Sequence, residues 1–175
     1  MAAIRRVFAE HGATTLEIVR DPRLEDMIAP PLRFLLEHWN GLIKEGALPN
    51  VRQIDPFALR PALGHLLVIE TVDGGRDFRY RLYGSVIAGI SGFDMTGQLV
   101  SKHRASTHVA ELAVAVYRAV VQTRRPIFTS RQPAHAERTT VWHRIILPFV
   151  DDSDTVVRLL AATAAMGPDG VMIRS

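Results

Sequence analysis

Apolar residues recur along this chain with two different periods. Over residues 24–45 the positions Leu32, Leu35, Leu36, Trp39 and Ile43 fall three or four apart, on one stripe of a helix. Pro31 suits the first turn of that helix, where its missing N–H has no intrahelical partner to lose, and Gly46 is a natural stop. Over residues 77–83 the period drops to two. Phe78, Tyr80 and Leu82 point one way and Arg79, Arg81 and Tyr83 the other, as a pleated strand requires. Residues 65–72 read as the preceding strand, joined to it by the hairpin connection Asp73-Gly74-Gly75-Arg76. A short apolar helical piece over 85–90 and the turn Asp94-Met95-Thr96-Gly97 follow. The helical period then returns. Ser106 or Thr107 caps a second long helix that runs to Thr123, with Val109, Leu112, Ala113, Val116 and Val120 on its buried stripe, and Pro126 ends it. Three strands complete the chain, over 127–132, 141–149 and 155–165, and the acidic turn 151–154 joins the last two.

Between the first helix and the hairpin lies the loop LPNVRQIDP. Asp55 followed by Pro56 is an N-cap with proline at the first helical position, so 57–59 form one short turn before Pro61 interrupts. Residues 1–23 are weakly patterned, helical in the first eight and extended over 14–19. They read as an arm that packs on the domain or on a second copy, or else as a disordered lead-in. Strands joined by short turns favour one antiparallel sheet, and the helices between them must cover a face of it. The expected fold class is therefore α+β: a five-stranded antiparallel sheet with helices on one face and an N-terminal amphipathic helix. That first helix must pack on the outer face or on a partner. The expected divisions are an arm at 1–23, a domain at 24–167 and a tail at 168–175.

Length and composition narrow the function classes. A chain of 175 residues, 47% hydrophobic and 22% charged, supports one domain with a real core. The net charge of +3 comes from scattered basic residues, adjacent only at Arg5-Arg6 and Arg124-Arg125. Nucleic-acid binders gather such residues on one face, so no nucleic-acid partner is expected. The absence of cysteine fits a reducing cytoplasm and removes thiolate nucleophiles, Cys-ligated zinc and Cys-held iron–sulfur clusters. The basic start MAAIRRVFAEHG is not followed by a signal-peptide core, and no stretch approaches the ~20 apolar residues of a membrane span. A cytoplasmic protein without a membrane partner is the expectation.

Five pieces in order carry a resemblance: Trp39, then LPNVRQIDP, then DFRYRLYG from Asp77 to Gly84, then FDMTG from Phe93 to Gly97, then RIILPF from Arg144 to Phe149. Together with the element order, over about residues 24–165, they resemble the PAS domain superfamily, in a branch of small bacterial PAS-like proteins. The resemblance implies helices between the second and third strands forming a pocket over the sheet. It also implies a non-enzymatic sensory or regulatory role, binding a small molecule or a protein partner and signalling through contacts or dimerisation. No kinase, cyclase or DNA-binding segment is legible, so a homodimer or a signalling partner is expected, with the amphipathic stripe of the first helix contributing.

The candidate site residues are Tyr80, His108, Trp142 and Arg144, as ligand-binding positions of such a pocket. No catalytic and no metal-binding residue is assigned, and the cofactor is left unassigned. Haem-binding PAS domains carry the iron ligand on a helix in the region of His103 and His108, but a solvated histidine near a helix end is the commoner case, and haem is disfavoured. The spacing of five between them does not suit a two-histidine zinc site. Covalent flavin photochemistry is excluded, because the light-sensing branch needs a reactive cysteine. Gly89, Gly92 and Gly97 form no phosphate loop, since no Gly-Lys-Ser/Thr follows. Arg79 and Arg81 are expected on the outer sheet face, paired with carboxylates of the N-terminal helix or a dimer mate. Arg144 shares a face with Trp142 and Ile146, while His143, Ile145 and Leu147 occupy the other, and both faces read as buried. The small residues of LLAATAA leave room above the last strand for a ligand or a closely packed helix. The alternatives are a pocket enzyme of the isomerase or cyclase kind, with Asp77, His143 or Glu70 as its acid or base, and a pure interaction module whose core is filled by its own side chains.

Overall fold

The elements follow the two periods closely. The computed structural model describes residues 15–132 and 141–174; residues 1–14 of the expected arm, with its helical start, lie outside them. In chain order the elements are β1 (Thr15–Arg20), α1 (Pro30–Leu42), β2 (Leu66–Val72), β3 (Asp77–Tyr83), α2 (Ser85–Ser91), α3 (Thr107–Thr123), β4 (Ile127–Gln132), β5 (Val141–Val150) and β6 (Val156–Met166). The strands form one sheet in the order β1-β4-β5-β6-β2-β3, with every neighbouring pair antiparallel.

All five expected strands are present, and the sheet has a sixth. β1 comes from the segment read as an arm and pairs along the edge of β4, from Thr15 opposite Gln132 to Arg20 opposite Ile127. Backbone bonding continues past it, from the Asp21 amide to the Pro126 carbonyl at 3.1 Å, and Arg125 reaches the Asp21 carboxylate at 2.7 Å. Without β1, the whole donor and acceptor row of β4 would face water.

Helices cover both faces, because the first helix takes the outer one, one of the two placements expected for it. The inner face of the sheet, with Leu67, Ile69, Phe78, Tyr80, Ile146 and Leu159, packs under α2 and α3. The outer face, with Leu66, Phe128, Ile145, Leu147, Phe149 and Leu160, packs under α1. The stripe expected to reach a second copy is consumed there: Leu32, Leu35, Leu36 and Trp39 are all buried within the chain. Each such leucine contributes ~1.5–3 kcal/mol of burial. Trp39 adds a direct tie, its indole Nε1–H donating to the Pro148 carbonyl of β5 at 3.0 Å. The alanines of β6 divide in the same way. Ala162 and Ala164 lie under α1, where a small side chain lets the helix come close, and Ala161 faces inward.

The first helix is shorter than its stripe. Residues Leu24–Asp26 make a 3-10 turn, and α1 begins only at Pro30. A proline drives the residue before it out of the helical region, and Ala29 accordingly has φ −70° and ψ 122°. Asp55 caps as its sequence demands, accepting a hydrogen bond from the Phe57 amide at 2.9 Å. Past β6 the chain folds back, and the Ile173 amide donates to the Ala165 carbonyl at 2.8 Å.

Candidate functional site

The turn that follows α2 locks onto β3. Thr96 Oγ1 accepts from the Tyr83 amide at 3.1 Å, the Gly97 amide donates to the Tyr80 carbonyl at 2.7 Å, and the Tyr80 amide donates to the Gln98 carbonyl at 3.0 Å. Gly97 sits at φ 81°, a conformation open to glycine at little cost. Asp94 accepts from the Thr96 amide at 2.7 Å, which holds its carboxyl below the usual range. The FDMTG segment is therefore turn chemistry that fixes the wall of the inner layer.

Beyond it Ser106 caps α3, its Oγ accepting from the Val109 amide at 3.1 Å. The cap sets the helix over β4 and β5, with Leu112, Ala113, Val116, Tyr117 and Val120 turned inward. The fit is incomplete at one end. A half-open hollow of about 40 Å³ remains between Val109, Leu112, Ala113 and Val116 of the helix and Thr129, Arg131, Trp142 and Arg144 of the sheet. That space holds roughly three waters. Ligand pockets usually measure ~300–1,000 Å³.

Arg144 is the best-anchored polar group there. Its Nε donates to Thr163 Oγ1 of β6 at 2.9 Å, and one terminal nitrogen donates to the Tyr117 hydroxyl of α3 at 3.1 Å. Burial works against its charge, yet the phenols of Tyr117, Tyr80 and Tyr83 around it hold its pKa above the ordinary value. Arg131 stands diagonally across the strand pair, since Arg131 is opposite Trp142 and Thr129 opposite Arg144. Burial first, and then the Arg144 charge, pull its pKa down to about 10. Among the described residues, no carboxylate lies within ion-pairing distance of either guanidinium.

His103 shares this electropositive surrounding. Burial, then Arg144 and Arg131, lower its pKa to about 4. The Ala105 amide donates to its Nδ1 at 3.2 Å, which requires an unprotonated nitrogen there. Its ring lies edge-on to Phe93 and Tyr80, with centroids 5.5 and 6.1 Å away. Tyr80 is wholly buried; desolvation pushes its phenol well above the ordinary range, and its hydroxyl meets no partner in hydrogen-bonding geometry.

Of the four residues read as ligand-binding, Trp142 and Arg144 line the hollow together. Tyr80 is not in its lining; it lies elsewhere in the same inner layer, beside His103. His108 is half-buried at the start of α3, where the wall of the hollow begins one residue later at Val109. The expectation for Arg79 and Arg81 changes in its partner: Arg81 approaches Glu70 of the adjacent strand at 3.9 Å, not a carboxylate of the first helix. Two contributors escape the sequence reading, Arg131 and Tyr117, and His103, weighed there only as a haem ligand, stands here as a neutral imidazole beside the arginines. The alternation Ile127, Thr129, Arg131 puts Arg131 on the inner face, but only the β4–β5 register shows that it meets Arg144.

The three candidate acids or bases stand elsewhere. The Asp77 carboxylate accepts from the Phe78 and Ser101 amides and the Ser101 hydroxyl, Glu70 faces Arg81, and His143 lies edge-on to Phe128 on the outer face. A wider, solvent-open depression of about 440 Å³ lies apart from the hollow, lined by Pro30, Phe34, Pro61, Val86 and Met172 among others. Among the described residues, no helix is long and apolar enough to cross a membrane.

Comparison with known proteins adds three findings. A family profile described as PAS domain matches residues 27–164. No curated protein matches the chain. The solved structure of an RNA-binding light-oxygen-voltage receptor is similar at a TM-score of 0.46 and 11% identity, over 90% of this chain and 41% of that one. The chain thus spans less than half the length of that receptor's chain.

Proposed function

The chain belongs to the PAS domain family, a family of sensory and regulatory modules, and on that premise we propose that it is a sensor taking a small ligand into the hollow between α3 and strands β4 and β5. One observation carries this reading: polar side chains are turned into an apolar, incompletely filled space at the helix–sheet junction. A core filled for stability alone packs apolar groups to density and leaves no charged group facing a gap. Here Arg131 and Arg144 border such a gap.

The role is non-enzymatic. Asp77, Glu70 and His143 are engaged away from the hollow, and a guanidinium is a poor proton shuttle at neutral pH. A ligand in the hollow touches α3 and two strands at once, so its binding moves the helix relative to the sheet. A homodimer or a signalling protein reads that shift. The reading includes no nucleic-acid and no membrane partner and places the module in the cytoplasm.

Thermal denaturation against a panel of small polar metabolites, with native mass spectrometry of the purified protein, tests this. A ligand at a hundredfold excess over its Kd raises the Tm by about 5–10 °C. A panel in which no compound raises the Tm, with a native mass equal to that of the chain, contradicts the reading.

A further inference from the structure

We propose that the ligand of this hollow is a short-chain monocarboxylate of two or three carbons, its carboxylate held between Arg131 and Arg144 and its alkyl end against α3. The proposal rests on the reading of the hollow as a ligand site and specifies what that site selects.

Charge comes first. Two guanidiniums sit as diagonal neighbours on one sheet face, at a separation of ~7–8 Å that arginine side chains span easily. Among the described residues no carboxylate offsets them, and they act on each other: Arg144 depresses the pKa of Arg131, and both depress that of His103. An anion between them removes this repulsion, and a guanidinium presents its donors in a fork that matches two carboxylate oxygens. Arg144 is already oriented for this, because Thr163 and Tyr117 hold its Nε and one terminal nitrogen. Among the described residues the second terminal nitrogen has no partner in hydrogen-bonding geometry, and Arg131 has none at all.

Size and polarity then choose among anions. About 40 Å³ encloses roughly three heavy atoms, the number in a carboxylate group, and the one or two remaining carbons of acetate or propionate lie at its half-open mouth. The remaining wall is Val109, Leu112, Ala113, Val116 and the Trp142 ring. Inorganic phosphate would turn oxygens toward these side chains and leave them without hydrogen bonds, at the cost attached to any unpaired buried polar group. A carboxylate with a one- or two-carbon tail turns only carbon toward them.

Isothermal titration calorimetry with sodium propionate, propionamide and sodium phosphate, on the whole chain and on R131Q and R144Q, tests the assignment. The proposal predicts saturable one-site binding of propionate and, for propionamide, an affinity at least tenfold weaker. Each substitution weakens propionate by about tenfold to a hundredfold, the loss expected for one charge-assisted hydrogen bond. Arg131 makes no hydrogen bond to a described residue, so R131Q keeps the fold and remains informative if R144Q does not fold. An independent readout at pH 7, where propionate is fully ionised, is the His103 imidazole resonance, which shifts on saturation with propionate because its two depressing charges are Arg144 and Arg131, and is unmoved by propionamide at the same concentration. Equal binding of propionate and propionamide overturns the anion assignment while leaving a ligand site in the hollow. Tighter binding of phosphate overturns the carboxylate assignment in the same way. No saturable binding of any of the three overturns the proposal, and a panel that finds no other ligand then removes the ligand reading as well.

Discussion

Phe93 and Tyr80 enclose His103, and the Ala105 amide occupies its Nδ1 lone pair. Its folded pKa, about 4, lies below the ordinary 6.5, so on acidification the unfolded chain takes up a proton before the folded one does. This imidazole therefore costs nothing above the ordinary value and destabilises the fold progressively as the pH falls from about 6.5 to about 4. H103Q is expected to flatten that part of the Tm-against-pH curve, checked by differential scanning calorimetry of both proteins at matched pH values; parallel curves would sink the assignment. Trp39 offers a second single-residue test. W39F keeps an aromatic ring but removes the N–H that reaches the Pro148 carbonyl, costing about 1 kcal/mol, while W39A opens a larger cavity and costs ~3–5 kcal/mol in urea denaturation. Trp142 and Arg144 are legible from sequence because alternation along one strand puts them on a shared face. Arg131 and His103 are not, because their roles depend on register and on a turn that brings His103 back over the sheet.

Local period is sufficient at the element scale wherever an element is framed by its own turn or cap. The β2–β3 hairpin and α3 are such cases, with Gly74 and Gly75 at positive φ in one and Ser106 capping the other. β1 is different. Its six residues carry little pattern of their own, and what makes them a strand is the edge of β4, contributed from far along the chain. The covering of the outer face by α1 is legible only as a choice between a sheet and a partner. Two predictions belong here. At Gly84 an added Cβ would lie 2.4 Å from the Gly64 carbonyl oxygen and 2.9 Å from that of Leu66, both backbone atoms unable to yield. G84A is expected to cost ~1–3 kcal/mol, seen as a lower urea midpoint at unchanged m-value. I18P, opposite Thr129, should unzip β1 and bare the edge of β4, and size-exclusion chromatography should then show larger assemblies than the parent chain forms at the same concentration.

For the whole molecule, the six-stranded sheet separates two apolar layers with different duties. The outer layer is closed, with α1 and its leucines laid on alanines and aromatics of β4, β5 and β6. The inner layer is closed under α2 but falls short under the N-terminal half of α3, where Trp142, Arg131 and Arg144 border unfilled space. The proposed sensing belongs to the deficient side and stands or falls with ligand binding there. Backbone amide and indole chemical shifts during a titration with sodium propionate test it most directly. The account predicts saturable shifts concentrated at Val109, Ala113, Thr129, Arg131, Trp142 and Arg144. Shifts confined to the depression around Pro30, Phe34 and Met172, or none that saturate, would contradict it.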